Sequence, residues 1–123
     1  IPDSILLKPG KLTDEEFAII RTHSQIGASI LSKIDMPDID VYADIILHHH
    51  EWFDGSGYPS GLAGNDIPLC SRIISVADSY DALTSRRTYR DSLPIETTLK
   101  IMREETGRHF DPEVSEVFFK LIA

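Results

Sequence analysis

Cysteine, basic residues and long apolar runs are scarce in this chain, and each scarcity excludes a class of protein. One cysteine, Cys70, occurs in 123 residues, so no internal disulfide can form and a reducing compartment, the cytoplasm, is the expected location. The 12 basic residues stand against 20 acidic ones, and the resulting formal charge of -8 argues against DNA binding. No apolar run approaches the roughly 20 residues that span a bilayer, so we expect no membrane segment in this stretch.

Strand-like alternation is also absent, whereas apolar residues recur three and four positions apart throughout the chain. The length and the 41% hydrophobic content suit one domain over residues 1–123. We predict an all-α class with about five helices, which begin near Thr13, Pro37, Pro68, Pro94 and Asp111. The residues expected on their apolar faces are Phe17, Ile20, His23, Ile26, Ile30, Leu31, Ile95, Leu99, Ile101, Met102, Val114, Val117, Phe118 and Leu121. Those expected to be buried are Ile39, Tyr42, Ala43, Ile46, Leu47, Ile73, Ile74, Ala77, Tyr80 and Leu83.

Three consecutive histidines, His48 to His50, end the second predicted helix and lead into a long loop, residues 51–69. Neutral imidazole makes histidine the commonest metal ligand. The alternative is a solvated helix end, where a protonated histidine suits the helix dipole. The loop holds four glycines and two prolines, and ordered loops of this length are often functional.

Several loop residues have side chains or backbone properties that suit a site. The two carboxylates could bind the metal or accept hydrogen bonds from its ligands, and the glycines permit tight turns or close backbone approach. The proline stiffens the turn that presents the tyrosine ring, although simple packing under the loop would also explain that tyrosine. These residues are Glu51, Asp54, Gly55, Gly57, Tyr58 and Pro59.

Further candidates lie on predicted helices. His23 falls in the middle of the first helix, where a histidine is usually a core residue, and it becomes a ligand candidate only because other ligand types cluster elsewhere. Asp78 is flanked by apolar residues on a core helix, and a buried carboxylate is costly unless it is paired or metal-bound. Asp81 follows one turn later on the same face and is a second candidate. The alternative is that Asp81 is a surface charge near the helix end. No role is predicted for His109 or Cys70.

Arginines are concentrated at Arg86, Arg87 and Arg90 in this otherwise acidic chain. The planar guanidinium binds phosphate oxygens with two parallel N–H groups. Ion pairing with the abundant carboxylates is the default alternative for each of them. Trp52 and Phe53 could stack on a nucleobase, or they could belong to the core.

From His49 to Pro59 the chain reads His-His-Glu-Trp-Phe-Asp-Gly-Ser-Gly-Tyr-Pro. This run strongly resembles the signature of the HD-GYP family, a subgroup of the HD superfamily of metal-dependent phosphohydrolases. The resemblance extends over essentially the whole chain. The other segments that resemble the family, in the same order, are residues 1–12, Thr22-His23, Val76 to Leu83 and Gly107 to Pro112.

The resemblance implies an all-α HD-domain helical bundle and bacterial cyclic-di-GMP phosphodiesterase activity, with a cyclic dinucleotide as substrate. It implies two or three divalent metal ions, with iron or manganese foremost and nickel or zinc as further options. The metal ligands that it implies are His23, His49, His50 and Asp78. The residues that would hold the guanine or phosphate groups, or line the substrate pocket, are Tyr58, Asp81, Arg87 and Arg90. Those that would support the ligands and the loop are Glu51, Asp54, Gly55, Gly57 and Pro59.

One departure from the family concerns its defining adjacent His-Asp pair. This pair normally lies just upstream of the position of Ile1, and no His-Asp dipeptide occurs in the chain. We therefore expect a partial domain without its N-terminal helices, inactive in isolation. Apolar surface left exposed in this way favours a homodimer, and sensor or receiver domains commonly lie upstream in the family.

Two rival interpretations remain open at this point. The first is a non-catalytic binding or interaction module that keeps Tyr58, Arg87 and Arg90 but carries no metal. The second is a related HD hydrolase that acts on another phosphate ester, which the Gly-Tyr-Pro loop disfavours.

Overall fold

The computed structural model describes Ser4 and residues 10–85 and 91–122. Within those two ranges the predicted all-α class is confirmed, since they contain helices and an isolated bridge between Thr106 and Phe110 but no strand. A short 3-10 turn, Gly64–Asp66, lies in the long loop. The α-helices are α1 (Asp14–Arg21), α2 (His23–Ser32), α3 (Ile39–Leu47), α4 (Leu69–Thr84), α5 (Ile95–Glu104) and α6 (Pro112–Ile122).

The first predicted helix begins as expected but is interrupted. The Thr13 hydroxyl accepts a hydrogen bond from the Glu16 backbone N–H at 3.1 Å, and the Glu16 carboxylate accepts one from the Thr13 N–H at 2.9 Å. This capping box satisfies two backbone donors that a helix leaves unpaired. The prediction of one continuous helix is wrong, because α1 ends at Arg21 and α2 begins at His23. His23 therefore lies at a helix start and not in mid-helix.

The helices pack in two groups that α4 connects. Helix α2 lies along α3, and α4 packs against α5 and α6. The buried cluster between α4, α5 and α6 is formed by Val76, Met102 and Phe110. The Ser71 hydroxyl of α4 donates to the carbonyl of Ile45 at 2.7 Å, which joins α4 to α3.

An ion pair fixes the start of α6. The Asp111 carboxylate accepts a hydrogen bond from the Glu113 N–H at 2.8 Å, as the predicted cap requires. Its other oxygen lies 2.6 Å from Nη1 of Arg72 on α4, and both side chains are largely buried. The pair holds the last helix against α4.

Several apolar helix faces are exposed. Tyr42, Ile73 and Ala77 were predicted to be buried, and those predictions are wrong. Helical spacing shows which residues share a face, but it does not show whether another element covers that face. The side chains on these faces stay exposed, although the Arg21 guanidinium lies 4.7 Å from the Phe17 ring centre. They are Phe17, Ile26, Ile30, Tyr42, Ile73, Ala77, Ile95, Val117 and Leu121. Every described helix is too short or too polar to span a bilayer.

Candidate metal centre

Three imidazoles meet where α2 begins and α3 ends. His23 is the first residue of α2, and His49 and His50 follow α3. One ring nitrogen from each lies within 4.8 Å of the others, and within the described ranges no other set of three or more metal-ligating side chains is this close. The sequence-predicted ligands His23, His49 and His50 are thus brought together, and we call them the histidine cluster.

The protonation of two of these rings follows from their hydrogen bonds. His23 Nδ1 lies 2.7 Å from the carbonyl oxygen of Ile20, and His49 Nδ1 lies 2.6 Å from that of Ile46. A carbonyl oxygen can only accept, so each Nδ1 carries the proton in the neutral ring. Each Nε2 is then left with a lone pair, as a metal ligand needs.

The distance between these two lone pairs fits a shared cation. His23 Nε2 and His49 Nε2 are 3.4 Å apart. Two nitrogens bound to one tetrahedral metal at about 2.0–2.1 Å would be separated by about 3.4 Å. With both protons on Nδ1, the two nitrogens cannot hydrogen-bond to each other. The donor set therefore fits a transition-metal ion.

His50 completes the cluster as a neutral ring. Its ring centre lies 4.1 Å from that of His49 and 4.6 Å from that of His23. Burial is the largest cause that lowers the His50 pKa, followed by the neighbouring His49 and His23, and together they bring it to about 3. At neutral pH the ring is uncharged and offers a nitrogen lone pair.

His48, the first of the three consecutive histidines, does not join the cluster. It is buried, and its Nδ1 donates to the Glu51 carboxylate at 2.8 Å. Glu51 is 2% exposed and also accepts the backbone N–H groups of Ser60, at 3.0 Å, and Leu62, at 3.1 Å. These amides lie beyond the cis peptide bond that precedes Pro59. Glu51 thus ties the far side of the loop to the end of α3.

The other predicted loop residues shape the backbone. The exposed Asp54 carboxylate accepts hydrogen bonds from the Ser56 N–H at 2.9 Å and hydroxyl at 2.6 Å. These bonds are the main cause that lowers the Asp54 pKa. Gly55 has a φ of +88°, which a side chain would disfavour. A Cβ at Gly57 would collide with the backbone nitrogen of Trp52.

Tyr58 forms one wall beside the histidine cluster. Its ring stacks on His50, with centres 5.3 Å apart and an interplanar angle of 18°, and lies edge-on to His23 at 6.5 Å. The Arg21 guanidinium lies 5.3 Å from the Tyr58 ring centre. Burial raises the Tyr58 pKa, Arg21 opposes this, and Asp78 adds to it. The sequence analysis missed Arg21, and its place two residues before His23 was the only signal.

The remaining predicted site residues lie outside the histidine cluster. Asp78 is exposed, so the expectation that it lies buried on a core helix is wrong. Asp81, one turn later, is also exposed and accepts a hydrogen bond from the Ser85 hydroxyl at 3.2 Å. Arg87 and Arg90 lie outside the described residues.

His109, for which no role was predicted, takes part in an aromatic stack. Its ring lies between Trp52, at 4.2 Å and 10°, and Phe110, at 4.1 Å and 16°. The Arg108 guanidinium lies 5.2 Å from the Trp52 ring centre. Burial is the largest cause that lowers the His109 pKa, to about 4. Trp52 therefore stacks on a side chain of the protein itself, and no sequence spacing predicted that it would pair with His109.

Comparison with known proteins shows a family match and similarity to proteins named as phosphodiesterases. Residues 1–114 match the family model described as HD domain. The chain is 49% identical over 121 residues to a cyclic di-GMP phosphodiesterase of Thermotoga maritima, covering 98% of this chain and 33% of that protein. It is 46% identical to a cyclic di-GMP phosphodiesterase response regulator of Xanthomonas campestris, covering 98% of this chain and 32% of that protein.

Relatives in Vibrio cholerae are named for a different cyclic dinucleotide. The chain is 42% identical to a 3'3'-cGAMP-specific phosphodiesterase, covering 98% of this chain and 23% of that protein. The crystal structure of another cyclic GMP-AMP-specific phosphodiesterase from this organism aligns with a TM-score of 0.72 and 26% identity, over 90% of this chain and 25% of that one. The chain spans about a third or less of the length of these relatives.

The family match covers the histidine cluster and the loop that follows it, and the aligned crystal structure shares the helical fold. The loop sequence from His49 to Pro59 and the phosphodiesterase relatives agree with that match. The chain belongs to the HD-domain family, in its HD-GYP subgroup.

Proposed function

We propose that this chain is the C-terminal part of a metal-dependent phosphodiesterase domain that hydrolyses cyclic-di-GMP in bacterial second-messenger signalling. The observation that carries the proposal is the facing pair of Nε2 atoms of His23 and His49, 3.4 Å apart, with the neutral His50 beside them. Relatives that are 46% and 49% identical bear the name cyclic di-GMP phosphodiesterase, which supports this substrate.

The metal site would consist of the histidine cluster with Asp78 as a further ligand from α4. Imidazole and carboxylate ligands suit iron or manganese, and also nickel or zinc. We propose two or three ions. Bound metal would supply Lewis acidity toward the phosphate and a low-pKa water as nucleophile.

The chain's own residues would orient the ligands and the substrate. The Nδ1–carbonyl hydrogen bonds of His23 and His49 fix the direction of their lone pairs. Glu51 holds the loop so that the Tyr58 ring stays against His50 and lines the pocket. Asp81, and Arg87 and Arg90 outside the described residues, would bind the guanine or phosphate groups of the substrate.

Further parts of the full protein would control this reaction. We propose upstream sensor or receiver domains, because the relatives are about three times longer and one is named a response regulator. We also propose a homodimer, because apolar side chains such as Ile30, 60% exposed, and Leu121, 79% exposed, lie uncovered in the described structure.

The test is hydrolysis by the full-length protein loaded with manganese or iron. Cyclic-di-GMP and 3'3'-cGAMP are supplied separately, and linear dinucleotide and GMP are quantified by chromatography. We expect cyclic-di-GMP to be cleaved faster, His49→Ala to lose its metal and its activity, and the matched control His109→Phe to keep both. Binding of cyclic-di-GMP without metal or turnover would instead support the non-catalytic module, and faster cleavage of 3'3'-cGAMP would overturn the substrate assignment.

A further inference from the structure

Arg21 is the last residue of α1 and is held by two aromatic rings. Its guanidinium carbon lies 4.7 Å from the ring centre of Phe17, one turn earlier, and 5.3 Å from that of Tyr58 in the loop. Stacking on rings leaves the edge of a guanidinium, which carries its N–H groups, available for hydrogen bonds. The side chain is exposed.

The N–H groups of Arg21 have no carboxylate partner among the described residues. Two other arginines do pair, since Arg72 lies 2.6 Å from Asp111 and Arg108 lies 2.9 Å from Glu105. Of the four described arginines, Arg103 is the other one without such a partner. The described residues therefore leave the five donors of the rigid Arg21 fork to an external anion.

This cation lies one aromatic ring away from the histidine cluster. A distance of 5.3 Å separates the guanidinium from the Tyr58 ring centre, and another 5.3 Å separates that centre from the His50 ring. Arg21 is thus adjacent to the proposed substrate pocket without belonging to the metal ligands.

We propose that Arg21 binds the phosphodiester of the cyclic dinucleotide that is not being cleaved. This inference rests on the proposed function. A cyclic dinucleotide contains two phosphodiester groups, so while one is held at the histidine cluster the other lies elsewhere in the pocket. The Tyr58 ring contacts both Arg21 and His50, so Arg21 lies next to the cluster without being part of it. An arginine fork matches two phosphate oxygens with parallel N–H groups.

The kinetic consequence distinguishes this role from a catalytic one. A contact to the non-reacting phosphodiester is equally strong in the ground state and the transition state, so its loss raises KM and leaves kcat nearly unchanged. A charge-assisted hydrogen bond corresponds to a change of about tenfold or more in affinity. Because Arg21 is exposed, the contact is also weakened by salt.

The test compares Arg21→Gln and Arg21→Lys with a matched control in the metal-loaded full-length protein. The control is Arg103→Gln, because Arg103 is likewise in the last turn of a short helix, exposed, and 5.0 Å from an aromatic ring, that of Phe119. We expect Arg21→Gln to raise the KM for cyclic-di-GMP about tenfold or more, with kcat within about threefold, and Arg21→Lys to lie between it and wild type. Arg103→Gln should match wild type.

Binding is measured separately with a non-hydrolysable phosphorothioate analogue of cyclic-di-GMP, whose Kd should rise by the same factor and lose part of its salt dependence in Arg21→Gln. A KM within twofold of wild type, a fall in kcat alone, or equal effects of the Arg21 and Arg103 substitutions would overturn the inference. An inactive wild-type protein would instead refute the proposed function. Melting temperatures of all variants identify any loss of activity that comes from unfolding. If Arg21→Gln is unfolded, the KM of the folded Arg21→Lys variant tests the inference instead.

Discussion

Replacing Glu51 by alanine removes the acceptor of three hydrogen bonds at the base of the loop. The carboxylate is 2% exposed and accepts from His48 Nδ1 at 2.8 Å, from the Ser60 N–H at 3.0 Å and from the Leu62 N–H at 3.1 Å. Alanine would leave all three donors without this partner in a partly or fully buried setting. A hydrogen bond to a charged group contributes about 1.5–3 kcal/mol, and such values are not additive within one network.

We therefore expect Glu51→Ala to lower the free energy of unfolding by about 3–5 kcal/mol. Glu51→Gln keeps the size and one oxygen but turns an N–H₂ group toward donors, so it should lose about 1–3 kcal/mol. These losses are large beside the total stability of a typical domain, about 5–15 kcal/mol. The measurement is urea denaturation followed by circular dichroism.

The matched control is Glu116→Ala on α6. Glu116 pairs with Lys120 at 3.1 Å, but both side chains are about 70% exposed. An exposed ion pair contributes less than about 1 kcal/mol, so this variant should unfold almost like wild type. If Glu51→Ala loses less than about 1 kcal/mol, or no more than Glu116→Ala, the assignment of Glu51 as the anchor of the loop is refuted.

Three further predictions concern the cluster, the loop and the aromatic stack. His49→Ala should abolish metal binding, measured by mass spectrometry after dialysis, because one of the two facing Nε2 atoms is removed. Unchanged metal content would contradict the proposal that His49 binds the metal. Gly57→Ala should lower the melting temperature strongly because its Cβ meets backbone atoms, whereas Gly27→Ala, which meets one side-chain atom at 3.2 Å, should change it little. Burial lowers the His109 pKa to about 4 from its usual 6.5. The neutral ring therefore stabilises the fold fully above pH 6.5, and this contribution to the free energy of unfolding is lost as the pH falls toward 4. After allowance for partial exposure this loss is about 1–2 kcal/mol, and His109→Phe should lack it. If wild type and His109→Phe show the same dependence of unfolding free energy on pH, the burial of a neutral His109 is contradicted.

The sequence by itself determined the features that depend on neighbouring residues. The capping box of Thr13 and the cap of Asp111 join atoms two or three residues apart, and their geometry follows from residue types alone. The family followed from the contiguous loop sequence that ends at Pro59. The all-α class followed from helical spacing, which is also a local property.

Only the tertiary structure decided which distant residues meet. His23 and His49 are 26 positions apart, and their Nε2 atoms face each other because α1 ends two residues before His23 and α2 packs along α3. The contact of Arg21 with Tyr58, and the stacking of His109 on Trp52, likewise depend on how separate segments pack. Helical spacing fixes which side chains share a face, whereas packing fixes what that face meets, so the site's geometry could not be predicted from local pattern.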